Sequence, residues 1–342
     1  MEKIGFGIIG CGHIAPYHAK ALSEINNARL IAVSDIIPNR AKQFAKLYST
    51  RHYCRNESIF EDKEIDVLNI CTPSNTHADI AINAMRAGKH VIIEKPMALT
   101  LADVNRLIST SLLTNRKMSI VLQNRFNPFI SELHSLIENQ KLGKLLIGNA
   151  TIRWFRPQKY YENSWHGIKD MGGDIVMNQL IHYIDLLVWL LGKVEKVFCY
   201  STTFLYDIAV NNTALALIWF KNGSIGSIEG STITYPSNIE GSITVLGELG
   251  SIKIGGIGLN QYDFRNIKGE IKKEIKNNQD IDRTNQISVY GKGHFSIILD
   301  MINSIINDKE PSTNGYEAKE SIKVCLSMIE SSIRKKPVKI MN

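Results

Sequence analysis

Two short segments carry side chains that could exchange a proton with a bound molecule. Glu94-Lys95-Pro96 follows an apolar run typical of a buried parallel strand, and the proline fixes the turn after it. Asn178, His182 and Asp185 have the spacing that places side chains on one face of a helix. A histidine titrates near neutral pH, and a lysine stabilises developing negative charge or acts as a base when its pKa is lowered. These residue types suit the removal of a proton from a hydroxyl group.

The N-terminal segment has the pattern of a dinucleotide-binding turn. An apolar run at 4–9 leads into Gly10-Cys11-Gly12-His13-Ile14-Ala15, and Asp35 follows a second apolar run. This is the G-x-G-x-x-G/A pattern of a β-α-β unit, with an acid about 20 residues further on. Gly10 permits the tight turn, and Gly12 lets the backbone approach a pyrophosphate at the helix N-terminus. His13 and Ile14 lie in the same turn and are predicted to contact the cofactor.

The choice of cofactor depends on Asp35. Its carboxylate would accept hydrogen bonds from the adenosine ribose hydroxyls and repel a 2′-phosphate, which favours NAD over NADP. Arg40 is close enough in sequence to work against that preference.

Further cofactor contacts are predicted where three later strands end, because ligands of such sheets bind beyond the carboxyl ends of the strands. The predicted contacts are Thr72, Pro73, Asn75, His77, Glu94, Lys95 and Gln123. His77 could instead cap the helix that begins there. Gln123 and Arg125 could lie near the nicotinamide or near a substrate phosphate.

The elements that position these residues divide the chain near residue 123. Residues 1–123 alternate strands and helices, which predicts an α/β Rossmann domain with a doubly wound parallel sheet. Its predicted strands are 4–9, 29–34, 50–54, 66–71, 90–93 and 118–122, and its predicted helices are 13–25, 38–48, 76–87 and 101–115.

Residues 124–342 are predicted to form an α+β domain with a large, open-faced, mostly antiparallel sheet, because its strands are joined by hairpin turns. The predicted strands are 145–156, 194–205, 212–220, 224–233, 239–247 and 250–254. The predicted helices are about 128–140, 174–191, 293–307 and 316–334. The polar stretch 265–290 is predicted to be a hairpin and a loop.

The composition narrows the class of protein. The 342 residues carry a net charge of +7, but the lysines are scattered, which favours an anionic small substrate over nucleic acid. No apolar stretch predicts a membrane span and no signal peptide is visible, so we expect a cytoplasmic protein. The five cysteines are widely spaced and predict no metal site, and Cys11 is interpreted as a spacer in the phosphate turn.

Over nearly its whole length the chain resembles the glucose–fructose oxidoreductase/inositol dehydrogenase/MocA family. The most specific matches are Glu94-Lys95-Pro96 and the helix with Gly172-Gly173, Asn178 and His182. The resemblance implies that Lys95 is the family's lysine and that Asn178 and His182 occupy its acid–histidine pair. Because many members have Asp where Asn178 stands, and an amide cannot relay a proton, Lys95 and His182 remain as the acid–base groups. We prefer His182 as the base with Lys95 as its electrostatic partner, the reverse being open, and Asp185 could fix His182.

A segment over 153–167 is rich in arginine and aromatic residues, which pack on sugar or base faces and bind phosphate. The alternative is an aromatic-rich contact in a dimer or tetramer. The segment is similar to the branch of the family formed by 3-dehydrogenases of UDP-N-acetylglucosaminuronate, the WlbA type, and of UDP-N-acetylglucosamine, which serve lipopolysaccharide and surface-glycan synthesis. That resemblance implies substrate contacts from Arg156, Tyr160 and Tyr161, besides Lys95, Arg125, Asn178 and His182. It also implies that 2-oxoglutarate could reoxidise the NADH.

Two other classes stay open at this point. A non-catalytic sugar sensor would not need both Lys95 and His182, and an NAD-dependent glycosidase would oxidise and re-reduce its sugar. The alternating strands of the open-faced sheet predict a homo-oligomer, either a dimer or a tetramer.

Overall fold

The computed structural model describes residues 3–162, 164–270 and 292–340. The chain divides into two compact units, Met1–Gln123 with Lys292–Lys319 and Asn124–Gly291 with Glu320–Asn342. Residues 292–319, which the sequence assigns to the second domain, thus pack in the first unit. Of the predicted hairpin and loop at 265–290, residues 271–290 lie outside the described residues.

Most of the predicted helices and strands form, with ends shifted by a few residues. The helices are α1 Ala15–Ser23, α2 Pro38–Tyr48, α3 Asn56–Phe60, α4 His77–Arg86, α5 Leu101–Thr114, α6 Pro128–Glu138, α7 Gln158–Tyr161, α8 Ile181–Leu191, α9 Gly293–Ile306 and α10 Gly315–Arg334. The strands of the first unit are β1 Ile4–Ile9, β2 Ala28–Ser34, β3 Arg51–Tyr53, β4 Val67–Ile70, β5 His90–Ile93 and β6 Met118–Ile120. Those of the second are β7 Leu145–Arg153, β8 Val194–Thr202, β9 Thr213–Phe220, β10 Ile225–Ser231, β11 Glu240–Gly247, β12 Gly250–Gly255, β13 Gln261–Ile267 and β14 Val338–Lys339.

The first unit contains a six-stranded sheet in the order β3-β2-β1-β4-β5-β6, with every neighbouring pair parallel. This is the doubly wound order, and its central strands are continuous apolar runs because both faces of such a sheet are covered. Ile8, Leu68 and Ile92 on these strands are completely buried. The predicted Rossmann sheet is confirmed. The turns with the predicted cofactor contacts follow the carboxyl ends of β1, β4, β5 and β6.

Helix α9 explains why residues 292–319 belong to the first unit. Its apolar stripe, Ile297, Ile298 and Met301, is fully buried, and the helix packs against α1. An amphipathic stripe predicts that a helix buries one face but does not say against which domain.

The second unit contains an eight-stranded sheet in the order β13-β12-β11-β7-β10-β9-β8-β14, in which β7 and β10 are the parallel pair. Helix α8 covers one face, and a Cβ added to Gly148 of β7 would meet the Leu191 side chain at 2.5 Å. The opposite face exposes large apolar side chains by between 38% and 57%, namely Phe198, Tyr200, Leu215 and Leu217. The predicted open-faced, mostly antiparallel sheet is therefore confirmed.

The predicted uninterrupted helix over 174–191 is wrong in one respect. Val176–Leu180 is a π-helical segment, and α8 begins only at Ile181. Such segments carry i→i+5 hydrogen bonds and are frequent at functional sites. Lys169–Leu191 is long and apolar enough to span a membrane, but 89% of its most apolar window is buried inside the protein, as in the core helix of a soluble protein.

Candidate active site

The glycine turn after β1 has the geometry of a phosphate cradle. Gly10 has φ +92°, and a Cβ there would lie 2.7 Å from the Cys71 carbonyl oxygen, so only glycine fits. A Cβ on Gly12 would meet nothing within 4 Å, which leaves open space beside the N-terminus of α1. His13 and Ile14 complete the turn before Ala15 begins the helix. Backbone N–H groups at such a helix start favour an anion.

Asp35 is held beside that turn at the end of β2. Its two carboxylate oxygens accept hydrogen bonds from the backbone N–H groups of Cys11 and Ile37, both at 2.8 Å. An ionised carboxylate has about four acceptor positions, so sites remain for ribose hydroxyls. Ile36, directly after it, is 81% exposed and offers apolar surface that the sequence reasoning did not select.

The turn after β4 holds Thr72, Pro73 and Asn75, and His77 locks it to the next turn. The two ring nitrogens of His77 lie 2.8 Å from the carbonyl oxygens of Thr72 and Pro96. Burial lowers the pKa of His77 more than these carbonyl contacts raise it. Its buried side chain therefore joins two turns. The sequence had predicted a cofactor contact or a helix cap for this residue, and this joining role was not foreseen.

Lys95 follows β5 in a turn with a cis Lys95–Pro96 peptide bond. The lysine is half-buried, whereas Glu94 is buried with its carboxylate against His18, at 3.0 Å. Glu94 therefore presents no exposed side chain for the cofactor contact that the sequence predicts. His18, Glu94 and His294 are also the group of possible metal ligands found among the described residues.

Gln123 follows β6 and is the last of the predicted cofactor contacts in the first unit. Its side chain is buried, and its Oε1 has no hydrogen-bond partner within the part of the chain that the structure describes. An orphaned acceptor of this kind, together with the open space at Gly12 and the ribose acceptor Asp35, fits a bound nicotinamide dinucleotide.

In the second unit, the π-helical segment and α8 carry Asn178 and His182, both more than 90% buried. The amide nitrogen of Asn178 lies 3.5 Å from the Tyr160 hydroxyl. Sequence reasoning placed Asn178, His182 and Asp185 on one face of a single α-helix. Asn178 lies in the wider π-helical turn, whereas His182 lies in α8. The spacing of an α-helix therefore does not by itself place these two side chains on one face.

Asp185 is paired with Arg125 in a buried ion pair. The guanidinium donates from Nε and Nη2 to both carboxylate oxygens, at 2.8 and 2.7 Å, and the Ser321 hydroxyl donates to the same carboxylate at 2.7 Å. Arg125 also lies over the Trp189 ring, 5.2 Å from its centroid. Arg125 therefore anchors α8, and Asp185 is bound by Arg125 and Ser321. The substrate contact predicted for Arg125 and the role of Asp185 in fixing His182 stay predictions.

The arginine and aromatic residues of the 153–167 segment come together near Asn178. Arg156 lies over the rings of Trp154 and Tyr160, and its Nη1 donates to the Phe155 carbonyl oxygen at 2.7 Å. Tyr161 is buried, and its hydroxyl is 2.7 Å from Thr232 Oγ1. Arg156 and Tyr160 thus remain candidate substrate contacts, whereas Tyr161 supports them from the core.

A Rossmann sheet with this glycine turn, joined to a large open-faced sheet, defines an NAD-dependent oxidoreductase. Residues 4–120 match the model of an oxidoreductase family with an NAD-binding Rossmann fold, and residues 130–253 match the GFO/IDH/MocA C-terminal domain. The chain belongs to the glucose–fructose oxidoreductase/inositol dehydrogenase/MocA family, with NAD as cofactor.

Similar proteins include an inositol dehydrogenase and two WlbA dehydrogenases. Myo-inositol 2-dehydrogenase of Thermotoga maritima is 31% identical over 236 residues, which cover 66% of this chain and 67% of that protein. The WlbA dehydrogenase of Bordetella pertussis, solved with NADH and UDP-GlcNAcA, is 30% identical with a TM-score of 0.90, covering 100% of this chain and 99% of that one. The WlbA dehydrogenase of Chromobacterium violaceum, solved with the same two molecules, is 31% identical with a TM-score of 0.90, covering 100% and 97%.

Proposed function

We propose that this protein uses NAD to oxidise a secondary hydroxyl of a nucleotide sugar, and that the hydroxyl is C3 of UDP-N-acetylglucosaminuronate. The observation that carries the proposal is the likeness to two WlbA dehydrogenases bound to UDP-GlcNAcA, which extends over the whole chain. The match to the inositol dehydrogenase of Thermotoga maritima covers only 66% of it.

The cofactor would be held by the phosphate turn at Gly10 and Gly12, with His13 and Ile14, and by Asp35 at the ribose. Thr72, Pro73, Asn75 and Gln123 would contribute further contacts from the ends of β4 and β6. When bound, NAD supplies the acceptor for the hydride. An acid at the position of Asp35 favours NAD over NADP.

The chemistry left to the chain is the movement of a proton. His182 accepts the proton of the substrate hydroxyl, since an imidazole is a base near neutral pH. Lys95 stabilises the negative charge that develops on the same oxygen, and Asn178 orients the sugar through its amide. In the reversed assignment Lys95 is the base. A Lys95 variant, rather than a His182 variant, would then change the pH profile of kcat.

The substrate contacts follow from the cluster around Arg156. A guanidinium binds phosphate in a bidentate manner, and the net charge of +7 suits a substrate with two phosphates. Tyr160 offers an aromatic face and lies within 3.5 Å of Asn178, which joins this cluster to the catalytic helix.

A second candidate is an inositol or other polyol dehydrogenase, because curated relatives include inositol dehydrogenases, one of them 26% identical over 78% of the chain in Bacillus subtilis. Oxidation of UDP-N-acetylglucosamine is the nearest alternative within the nucleotide sugars. We also propose a cytoplasmic homo-oligomer in surface-glycan synthesis, with 2-oxoglutarate as the final hydride acceptor.

The test is a product assay with NAD and one substrate at a time. The substrates are UDP-N-acetylglucosaminuronate, UDP-N-acetylglucosamine and myo-inositol, each with and without 2-oxoglutarate, followed by mass spectrometry. We expect a keto product, lighter by two hydrogen atoms, from the uronate. Turnover of myo-inositol alone would transfer the assignment to the polyol class.

A further inference from the structure

A buried hydrogen-bond network lies directly behind Lys95, and the proposed chemistry does not use it. His18 Nε2 is 3.0 Å from Glu94 Oε1, and Asn69 Nδ2 is 3.0 Å from His18 Nδ1. Glu94 Oε2 accepts a hydrogen bond from the Lys95 backbone N–H at 3.2 Å. His294 Nε2 lies 3.4 Å from Glu94 Oε1. All of these groups belong to the first unit.

The positions of the protons follow from the donors. The amide nitrogen of Asn69 is only a donor, so His18 Nδ1 accepts and His18 Nε2 carries the hydrogen that is donated to Glu94. Burial alone would raise the pKa of Glu94, but the hydrogen bond from His18 and the His294 imidazole nearby outweigh it and hold this pKa well below its usual range. Glu94 is therefore an anion whose two oxygens are both engaged, one by a histidine and one by the Lys95 backbone.

His294 connects this carboxylate to other parts of the first unit. It lies in α9, its ring stacks on Tyr17 with centroids 5.9 Å apart, and it meets the His18 ring edge-on at 4.8 Å. Tyr17 and His18 belong to α1, the helix that follows the phosphate turn. The preceding Gly293 packs so closely on Gln123 that an added Cβ would lie 2.6 Å from its Cβ.

We propose that Glu94, clamped by His18 and by His294 from α9, is a positioning residue that fixes the Lys95–Pro96 turn. His294 is thereby a distant positioning residue for Lys95, and α9 is part of the active-site machinery. The inference rests on the proposed role of Lys95 in oxidising a hydroxyl. It adds residues that take no part in the proposed proton transfer.

The same three ligand-type side chains could in principle bind a metal ion, since their ligand atoms lie within 4.8 Å of one another. The hydrogen-bond pattern argues against this, because the Nε2 atom of His18 that faces Glu94 carries a proton. A metal ligand must present a lone pair there.

The test compares Glu94→Gln, His294→Ala and His294→Gln with His90→Gln as a matched control. His90 lies at the opposite end of β5, where its Nδ1 accepts a hydrogen bond from the Lys117 backbone N–H at 2.9 Å. The first readout is trace acetylation of Lys95, measured by mass spectrometry relative to the other lysines without substrate. The second is the kcat and KM of alcohol oxidation, and the third is NAD affinity.

We expect Glu94→Gln and His294→Ala to change the acetylation of Lys95 several-fold and to lower kcat on the order of 100-fold, with KM and NAD affinity nearly unchanged. His294→Gln should recover most of the loss because it keeps a donor, and His90→Gln should match the wild type. Unchanged Lys95 acetylation in Glu94→Gln and His294→Ala, or one bound metal ion per chain by elemental analysis, would overturn the inference. Acetylation needs no substrate, so absence of sugar oxidation would defeat the proposed function alone. Glu94→Gln, which is isosteric, decides the matter if His294→Ala does not fold.

Discussion

Removing one partner of the Arg125–Asp185 ion pair should strongly destabilise the second unit. The side chains are only 5% and 2% exposed, so Asp185→Ala would remove a buried carboxylate that pairs with the buried guanidinium. Breaking a buried pair in this way costs about 3–5 kcal/mol of unfolding free energy. The Arg29–Glu64 pair, 58% and 53% exposed, is the matched control, and Arg29→Ala should cost no more than about 1 kcal/mol.

Urea unfolding followed by tryptophan fluorescence measures this difference, because Trp189 lies against Arg125. The double variant Arg125→Met/Asp185→Leu removes both charges of the pair and should recover most of the lost stability. A loss for Asp185→Ala as small as that for Arg29→Ala would refute the argument. The double variant also tests the substrate contact predicted for Arg125, since a large rise in KM without loss of stability would return this residue to the substrate site.

Four further outcomes are expected. Lys95→Ala should lower kcat by several orders of magnitude while NAD affinity, measured by fluorescence titration, stays near that of the wild type; a near-normal rate would remove Lys95 from the mechanism. Because Asp35 repels a 2′-phosphate, NAD should bind more tightly than NADP, and Asp35→Ser should narrow the gap; equal affinities in the wild type would contradict this role. Leu217→Lys, on the exposed face of the second sheet, should lower the mass found by light scattering at micromolar concentration, whereas a monomeric wild type would disprove the homo-oligomer. Burial, with Asp35 nearby, raises the pKa of the Cys11 thiol to about 12, so this thiol stays protonated at pH 8. Iodoacetamide reacts with thiolates and should therefore modify the exposed Cys54 first. Faster labelling of Cys11 would contradict that protonation state.

Local patterns in the sequence predicted the parts of the site that depend on neighbouring residues. Gly10, Gly12 and Asp35 lie in one β-α-β unit, and Lys95 follows an apolar strand, so a few residues of context were sufficient. The Rossmann sheet and the open-faced sheet follow from the same alternation of strands, helices and turns.

Contacts between distant residues left no such signal. His294 meets Glu94 although 199 intervening residues separate them, and nothing near Gly293 in the sequence indicates which domain its helix joins. Arg125 was predicted near the nicotinamide or a substrate phosphate, and only the three-dimensional fold shows the buried Asp185 beside it. The π-helical segment at Val176–Leu180 was also missed, since the apolar spacing of this stretch fits an α-helix equally well.

The most direct test of the proposed function follows the hydrogen on C3 of the sugar. The protein is incubated with NAD and UDP-N-acetylglucosaminuronate carrying deuterium only at C3, and the NADH is analysed by mass spectrometry. The account predicts NADH that contains the deuterium, and its amount should match that of the 3-keto product. NADH without deuterium, or an unchanged uronate after prolonged incubation with NAD-loaded protein, would contradict it.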